Sequence, residues 1–345
     1  MAQHHLRYLG RNPIPDNKSE VRLFSVMQNE TLRLPAFLRH YRALGVKRFF
    51  IIDNKSSDAT VALLTEQPDV HLFQTEASFA ASGHGVSWMN KLLARYGTDH
   101  WCVVADADEL LVYPDYENLK LPEFCAQLQT SGAEAMQAIL LDMYSNQPLS
   151  ALDYQQGQDL VAVCPYYDGS YQFAPRCAMP WQDRPFPSVE PLGGPRTRLF
   201  FTDQYQAPRW RRLLVKLIFR LLRPLAARGW LQTGYLPHPA PQLFKIPLVY
   251  WRPETAMITN HRTTRAPLAR ASGALLHFKY LQDFLPRTTN AIAHGQHYGG
   301  SIEYQRYAAM LKANPDMTFM YPGSRRFSGS ADLVAVGLIA QAQTD

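Results

Sequence analysis

Residues Trp101 to Pro114 read WCVVADADELLVYP: an apolar run, then three carboxylates within four positions, then apolar residues again. The short, partly β-branched run Trp101-Cys102-Val103-Val104-Ala105 fits a strand covered on both faces of a parallel sheet. Asp106, Asp108 and Glu109 then stand where the chain leaves that sheet. Open α/β sheets bind ligands in the crevice beyond the carboxyl ends of their strands, so acids at this edge are placed to meet one. Two acids separated by one residue can also point to one side. Crowded carboxylates repel, a divalent cation relieves the repulsion, and hard oxygen ligands favour Mg²⁺ or Mn²⁺. The competing reading is an acidic turn capping a helix that starts near Glu109, and the spacing alone does not choose.

Length and composition bound the answer. A chain of 345 residues, 46% hydrophobic and 19% charged, can bury a full core in one large domain or a domain with an appended lobe. A net charge of +6, from 35 basic and 29 acidic residues, is mild; it suits a phosphate-bearing ligand or an anionic membrane surface and gives no concentrated nucleic-acid footprint. The N-terminal MAQHHLRYLGRNPIPDNKSE lacks an apolar core of signal-peptide length, and no run of about 18 apolar residues follows. Cys102, Cys125, Cys164 and Cys177 form no C-x-x-C pair and read as reduced thiols. The expectation is a cytoplasm-facing protein without a spanning helix.

Upstream of the acidic stretch the chain alternates β and α. Val21 to Met27 reads as a first strand ending in Gln28-Asn29-Glu30. Leu34, Phe37, Leu38, Tyr41 and Leu44 then share one face of a helix that Pro35 can open and Gly45 stops. Val46 to Ile52 is a second strand, leading into Asp53-Asn54-Lys55-Ser56-Ser57-Asp58. Ser57 or Asp58 suits a helix N-cap, whereas a carboxylate at Asp53 can accept hydrogen bonds from a base or ribose. His71-Leu72-Phe73 is a third strand. Val86 to Tyr96, closed by Gly97, is a helix offering Trp88, Leu92 and Leu93 to the core. Neither G-x-G-x-x-G after the first strand nor G-x-x-x-x-G-K-[ST] anywhere is present, which argues against dinucleotide oxidoreductases and P-loop enzymes.

Taken in order, Asn29-Glu30, the helix with Leu34-Pro35, FFIIDNKSSDAT at 49–60 and WCVVADADELLVYP resemble the family 2-like glycosyltransferases of the GT-A fold. The branch it looks like is the bacterial one with an NE…LP.FL.HY..LGV..F.I.DN.S.D.T opening. Later pieces also match: LLDMYS at 140–145, GGPRTRLF at 193–200, KIPLVYW at 245–251, SGALLHFKYL at 272–281 and SIEYQRYAAML at 301–311. The resemblance implies a mixed, mainly parallel sheet flanked by helices and a reaction on a nucleotide-diphosphate-sugar. It places Asp106 and Asp108 on the metal-binding D-x-D, Glu30 and Asp53 on positions that hold the nucleoside, and His277 on a late histidine that completes the metal shell. Asn29 and Asn54 are neighbours of the nucleoside positions. Glu109 can face donor or acceptor.

Other assignments stay open. His277 and Lys279 point one way if that segment is extended, so one can bind the cation while the other meets phosphate. His261, His294 and His297 are rival ligands, the last two in Gly-rich surroundings that suggest a loop. Arg196 and Arg198 alternate after two glycines and suit either phosphate or a solvated strand edge. Inversion requires a carboxylate to take the acceptor proton; Asp142, at another strand end, and Glu190 in SVEPLGG are the candidates, with Asp142 otherwise capping a turn at Ser145.

Residues 1–19 read as an extension, 20–150 as the nucleotide-sugar half, 151–330 as the acceptor-side half and 331–345 as a tail. Residues 150–195 are rich in Pro, Tyr and Gln and lack a helical period. In PRWRRLLVKLIFRLLRPLAARGW, 208–230, Arg209, Arg212, Lys216, Arg220 and Arg223 fall within about a quarter of a helical circumference, opposite a wide apolar surface. Such a helix either lies in an anionic membrane interface or packs on the protein's own core, and the second is favoured by sequence. Tyr298-Gly299-Gly300-Ser301 can close over a donor or be a plain surface loop; Ile302 to Leu311 is a helix. The reading is thus a Mn²⁺- or Mg²⁺-dependent inverting transferase of sugar to a glycan or lipid-linked acceptor, in the cytoplasm, with a peripheral place on the inner membrane face as an option. Its alternative is a noncatalytic GT-A-like domain that binds glycan or nucleotide.

Overall fold

The computed structural model describes residues 6–10, 13–176, 186–227, 240–294 and 302–341. The first half supplies strands β1 (Arg7–Tyr8), β2 (Arg22–Met27), β3 (Arg48–Asp53), β4 (Val70–Gln74), β5 (Trp101–Val104), β6 (Glu109–Val112) and β7 (Ala135–Asp142). Between them run α1 (Leu34–Leu44), α2 (Thr60–Thr65), α3 (Val86–Tyr96) and α4 (Leu121–Thr130). The second half opens with α5 (Leu160–Val163), β8 (Tyr166–Asp168), β9 (Tyr171–Pro175) and β10 (Val189–Gly193), then α6 (Gly194–Phe200), α7 (Thr202–Tyr205) and α8 (Arg209–Ala227). It continues with β11 (Phe244–Tyr250), β12 (Met257–Thr259), β13 (Arg262–Thr263), β14 (Gly273–His277), α9 (Phe284–His294), α10 (Ile302–Ala313), β15 (Ser324–Arg326) and α11 (Ser330–Ala335).

One nine-stranded sheet, ordered β1-β4-β3-β2-β5-β11-β7-β14-β6, runs through the molecule. The pairs β4–β3, β3–β2, β2–β5 and β7–β14 are parallel; β11 is antiparallel to both neighbours, and β1 and β6 are antiparallel edges. Six of the nine strands therefore run one way, the mixed, mainly parallel α/β sheet that the sequence predicts. Strands β11 and β14, from the second half, sit among strands of the first. The edge strand β1 lies within the segment read as an extension. Leu338 and Ile339, in the segment read as a tail, are buried in the main core.

Period-2 alternation along the central strands explains why these runs are apolar throughout. Leu23, Phe49, Ile51 and Val103 join one core with Phe37 and Tyr41 of α1 and Phe124 of α4. Their neighbours Phe24, Phe50, Ile52, Cys102 and Val104 join the other with Trp88, Leu92 and Leu93 of α3. Covered on both faces, a strand has no solvent side to make polar. Gly45 ends α1 at φ +100°, a conformation that suits glycine.

A third, aromatic core of Tyr144, Phe200, Tyr280, Phe284, Tyr307 and Phe319 joins α6, α9 and α10 to the end of the sheet. Two alternatives that the sequence left open are removed here. Glu109 opens strand β6 rather than a helix, because Leu110, Leu111 and Val112 pair with Leu276, Leu275 and Ala274 of β14. Arg196 and Arg198 lie on helix α6, not on a strand edge. The described parts of the 150–195 stretch, 150–176 and 186–195, are built of short pieces, as its lack of period suggests.

Helix α8 forms where the sequence predicts it. It packs Phe219 inward while Trp210, Leu213, Leu214 and Leu221 are exposed. Among the described residues no helix is long and apolar enough to cross a membrane. Cys102, Cys125 and Cys164 are free and buried; Cys177 lies outside the described residues.

Candidate functional site

Two strand registers build the site. The antiparallel register of β14 on β6 sets His277 opposite Glu109, and the parallel register of β14 on β7 sets the same His277 beside Asp142. The backbone continues both ladders, with the Phe278 amide donating to the Asp108 carbonyl at 2.8 Å and the Met143 amide to the His277 carbonyl at 2.9 Å. Three segments far apart in sequence thus deliver a histidine between two carboxylates at one end of the sheet.

His277 Nδ1 lies 2.6 Å from Asp142 Oδ1, and Nε2 lies 3.2 Å from Asp108 Oδ2. Arg196 Nη2 donates to the same Asp142 oxygen at 2.5 Å. Asp142 Oδ1 therefore accepts from two donors, and its Oδ2 is buried with no hydrogen-bond partner among the described residues. Burial disfavours the imidazolium, yet the Asp108 and Asp142 carboxylates outweigh it and raise the His277 pKa to about 9. Burial likewise opposes ionisation of Asp108, but His277 holds it well below the usual carboxylate range. For Asp142, Arg196 and His277 overcome burial and bring the pKa to about 2.

The turn between β5 and β6 carries a second cluster. Lys245, buried near the start of β11, donates to Glu109 Oε2 at 2.6 Å and to Asp106 Oδ2 at 3.1 Å. Glu109 Oε2 also accepts from the Asp106 amide at 2.9 Å, closing the turn on itself. Burial and the neighbouring Asp106 carboxylate push Glu109 up to about 7 against the pull of Lys245. Burial disfavours the Lys245 ammonium, but the two carboxylates reverse the sign and raise its pKa. Asp106 is the outward member of this group, its side chain 49% exposed.

A ring of arginines surrounds the carboxylates. Buried Arg33 donates from Nη1 and Nη2 to Asp283 at 2.6 and 2.7 Å and from Nε to the Phe278 carbonyl at 3.0 Å. Arg287 of α9 grips Glu30 with two bonds of 2.9 and 2.5 Å. Both guanidinium groups favour the Asp108 anion.

The remaining sequence candidates occupy varied places. Asp53, at the end of β3, is fully buried; it accepts from the Ser56 amide at 3.3 Å and from Gln74 at 3.2 Å. Asn29 at φ 56° receives the Ser57 and Asp58 amides on its Oδ1. Asn54 donates to the Thr75 and Ala77 carbonyls. Asp58 accepts from the Thr60 amide at the start of α2. Lys279 lies past the end of β14 and reaches Glu303 and Tyr307 of α10. Glu190 on β10 is held by Lys216 of α8 and faces Arg176 at 3.8 Å. Arg198 pairs with Asp168.

Among the histidines weighed against His277, His261 Nδ1 bonds the Phe244 carbonyl, and burial, with Lys245 nearby, lowers its pKa to about 4. His294 ends helix α9 instead of lying in a loop; His297 and the 298–301 segment lie outside the described residues. Two concave pockets, of about 550 and 490 Å³, lie apart from these acids. One is lined by Lys18, Asp99, Trp101 and Tyr250 at the opposite end of β5, the other by Ser145, Asn146, Gln147 and Arg326.

Two residues of the clusters escape sequence reasoning. Lys245 had one available signal, a lone cation heading the otherwise apolar strand KIPLVY. Arg196 was visible, but its partner Asp142 is 54 positions away and no local pattern links them.

A divalent cation can be tested against this donor set. Among the described residues no group of three or more His, Cys, Asp or Glu side chains gathers to hold a metal ion. Asp108 and His277 nevertheless form a carboxylate–imidazole pair whose histidine is oriented from behind by Asp142, the arrangement metal-binding histidines use. Mg²⁺-like ions commonly take only one or two protein ligands and complete their shell with phosphate and water, so the pair fits such an ion.

No family model matches the chain, and no curated protein matches its sequence. Among solved structures, S. aureus TarS 1–349 superposes with a TM-score of 0.29 at 12% identity, over 40% of this chain and 43% of that one. A putative glucose-1-phosphate thymidylyltransferase from Bacillus anthracis in complex with a sucrose gives 0.26 at 9% identity, over 40% and 64%. 4-Diphosphocytidyl-2C-methyl-D-erythritol synthase gives 0.25 at 16% identity, over 40% and 65%. The chain spans less than two thirds of each. Superpositions this loose leave the functional reading to the site itself.

Proposed function

We propose that this protein is a GT-A-type, family 2-like glycosyltransferase. In this reading it moves a sugar from a nucleotide-diphosphate donor to a glycan or lipid-linked hydroxyl with inversion, using Mn²⁺ or Mg²⁺, at the cytoplasmic side of a membrane. The observation that carries the proposal is the triplet Asp108–His277–Asp142, assembled by two sheet registers at the strand ends where α/β folds bind ligands. A cation held there would offset charge that develops on the departing nucleoside diphosphate.

The chain's own residues divide the work. Asp108 and His277 Nε2 would hold the cation. Asp142 is a positioning residue in this proposal, because it is fully buried and its Oδ1 already accepts from Arg196 and His277; an acceptor proton needs an accessible base. Arg196 keeps Asp142 ionised so that the imidazole stays turned. Lys245 fixes the Asp106–Glu109 turn and leaves the outward Asp106 carboxylate to face the donor. Asp53 and Glu30 are assigned to the nucleoside side, on which Arg287 would have to exchange Glu30 for ligand. Lys279, tied to α10, supports the wall behind His277.

Binding of UDP, GDP, CDP and dTDP, with and without Mn²⁺, tests the proposal by calorimetry. The expected result is tight binding of one diphosphate only with Mn²⁺, lost in Asp108→Asn, together with slow hydrolysis of the matching sugar nucleotide. Indifference of every diphosphate to both Mn²⁺ and Asp108→Asn refutes it. Metal-independent binding with no turnover favours the noncatalytic domain instead.

A further inference from the structure

Helix α8 covers Arg209–Ala227 and carries six basic residues and no acidic one. On its helical projection Trp210, Leu213, Leu214, Leu217 and Leu221 fall in one stripe. All of that stripe but the half-buried Leu217 is exposed, Trp210 at 66% and Leu221 at 62%, whereas Phe219, on the opposite side, is 8% exposed and packs on the protein. From Trp210 to Leu221 the stripe is about 17 Å long at the rise of an α-helix. By sequence position Arg209, Arg212, Arg220 and Arg223 fall on one flank of that projection, beside Lys216, and Arg211, which is exposed, falls on the other. A core-packed amphipathic helix buries its apolar stripe; this one shows it, and contiguous apolar surface is kept exposed when something else covers it.

We propose that α8 docks on an anionic lipid bilayer, with the Trp210–Leu221 stripe sunk into the headgroup boundary and its basic flanks against lipid phosphates. The charge is of one sign along the whole helix, which matches a uniformly anionic surface better than a protein partner of alternating charge. The stripe needs no shaped complement, only an apolar medium at its own depth. The bond of Lys216 to Glu190 on β10 ties the helix to the rest of the fold. The proposal does not rest on sugar transfer, and it stands or falls without the active site.

Flotation of the full chain with vesicles of phosphatidylcholine alone, or equimolar with phosphatidylglycerol, tests it, with Leu214→Glu/Leu221→Glu as the variant. Wild type is expected to float with the anionic vesicles only, and the variant to lose about tenfold or more of that binding with an unchanged melting temperature. Tryptophan emission supplies a second reading from a conservative, exposed substitution: the vesicle-induced blue shift of wild type should vanish in Trp210→Phe. Wild type that stays with the solvent fraction overturns the proposal, as does equal flotation of the variant. A dimer of wild type that Leu214→Glu/Leu221→Glu makes monomeric, without lipid binding, also overturns it and assigns the stripe to a second copy of this chain.

Discussion

Raising the pH above neutrality should loosen the metal-free protein through His277. Its imidazole would ordinarily titrate at 6.5, and the folded surroundings carry it to about 9. A buried group so shifted contributes about 3 kcal/mol to stability, a quantity of order-of-magnitude standing. The sign follows from which state holds the proton more tightly. Below 6.5 both folded and unfolded chains carry it and the contribution is complete; as pH rises through about 9 the folded state gives up the proton too, and the contribution is gone. Urea unfolding in EDTA, followed by tryptophan fluorescence, should therefore show wild type losing about 3 kcal/mol relative to His277→Gln between about pH 6 and about pH 10. Mn²⁺ should restore stability increasingly as the pH rises, because the cation competes with the Nε2 proton. A wild-type advantage over His277→Gln that stays constant or grows across this range would refute the assignment of an imidazolium held between Asp108 and Asp142.

Lys245→Met leaves the buried Glu109 without its cation. It should cost about 3–5 kcal/mol at pH 8 and less at pH 5.5, where Glu109, pushed up to about 7 even with Lys245 in place, takes up its proton readily; urea midpoints at the two pH values check this. Asp142→Asn keeps the shape but frees the His277 ring, so Mn²⁺ affinity measured by calorimetry should fall about 10- to 100-fold. Gly45→Ala forces a Cβ onto φ +100° and within 3.1 Å of Pro122 Cδ. It should lower stability by about 1–2 kcal/mol and leave nucleotide binding alone, a separation that denaturation and binding measured on one preparation will show.

Local periodicity carried the sequence reading a long way. α1 and α3 begin and end where apolar spacing and the glycines Gly45 and Gly97 place them. β2, β3, β4 and β5 follow from short apolar runs broken by polar turns, since a strand covered on both faces cannot hide its composition. The acids at 106–109 stood out because polar groups at the ends of apolar strands need a reason, whereas His277 was singled out by the family resemblance and not by its own stretch of sequence. The α8 pattern was equally plain, but which side of that helix meets the protein was not written in its period: Phe219 went inward and the leucine stripe outward.

By itself the sequence determined an alternating α/β chain and the positions where chemistry can collect, because those depend on neighbours within a few residues. Tertiary structure alone decided what those positions do to one another. The register of β14 between β6 and β7 put one imidazole between Asp108 and Asp142, the path of β11 brought Lys245 beneath Glu109, and α6 carried Arg196 into Asp142. These are contacts across 54 to 169 positions, and the charge state of each group depends on partners that its own stretch of sequence does not contain.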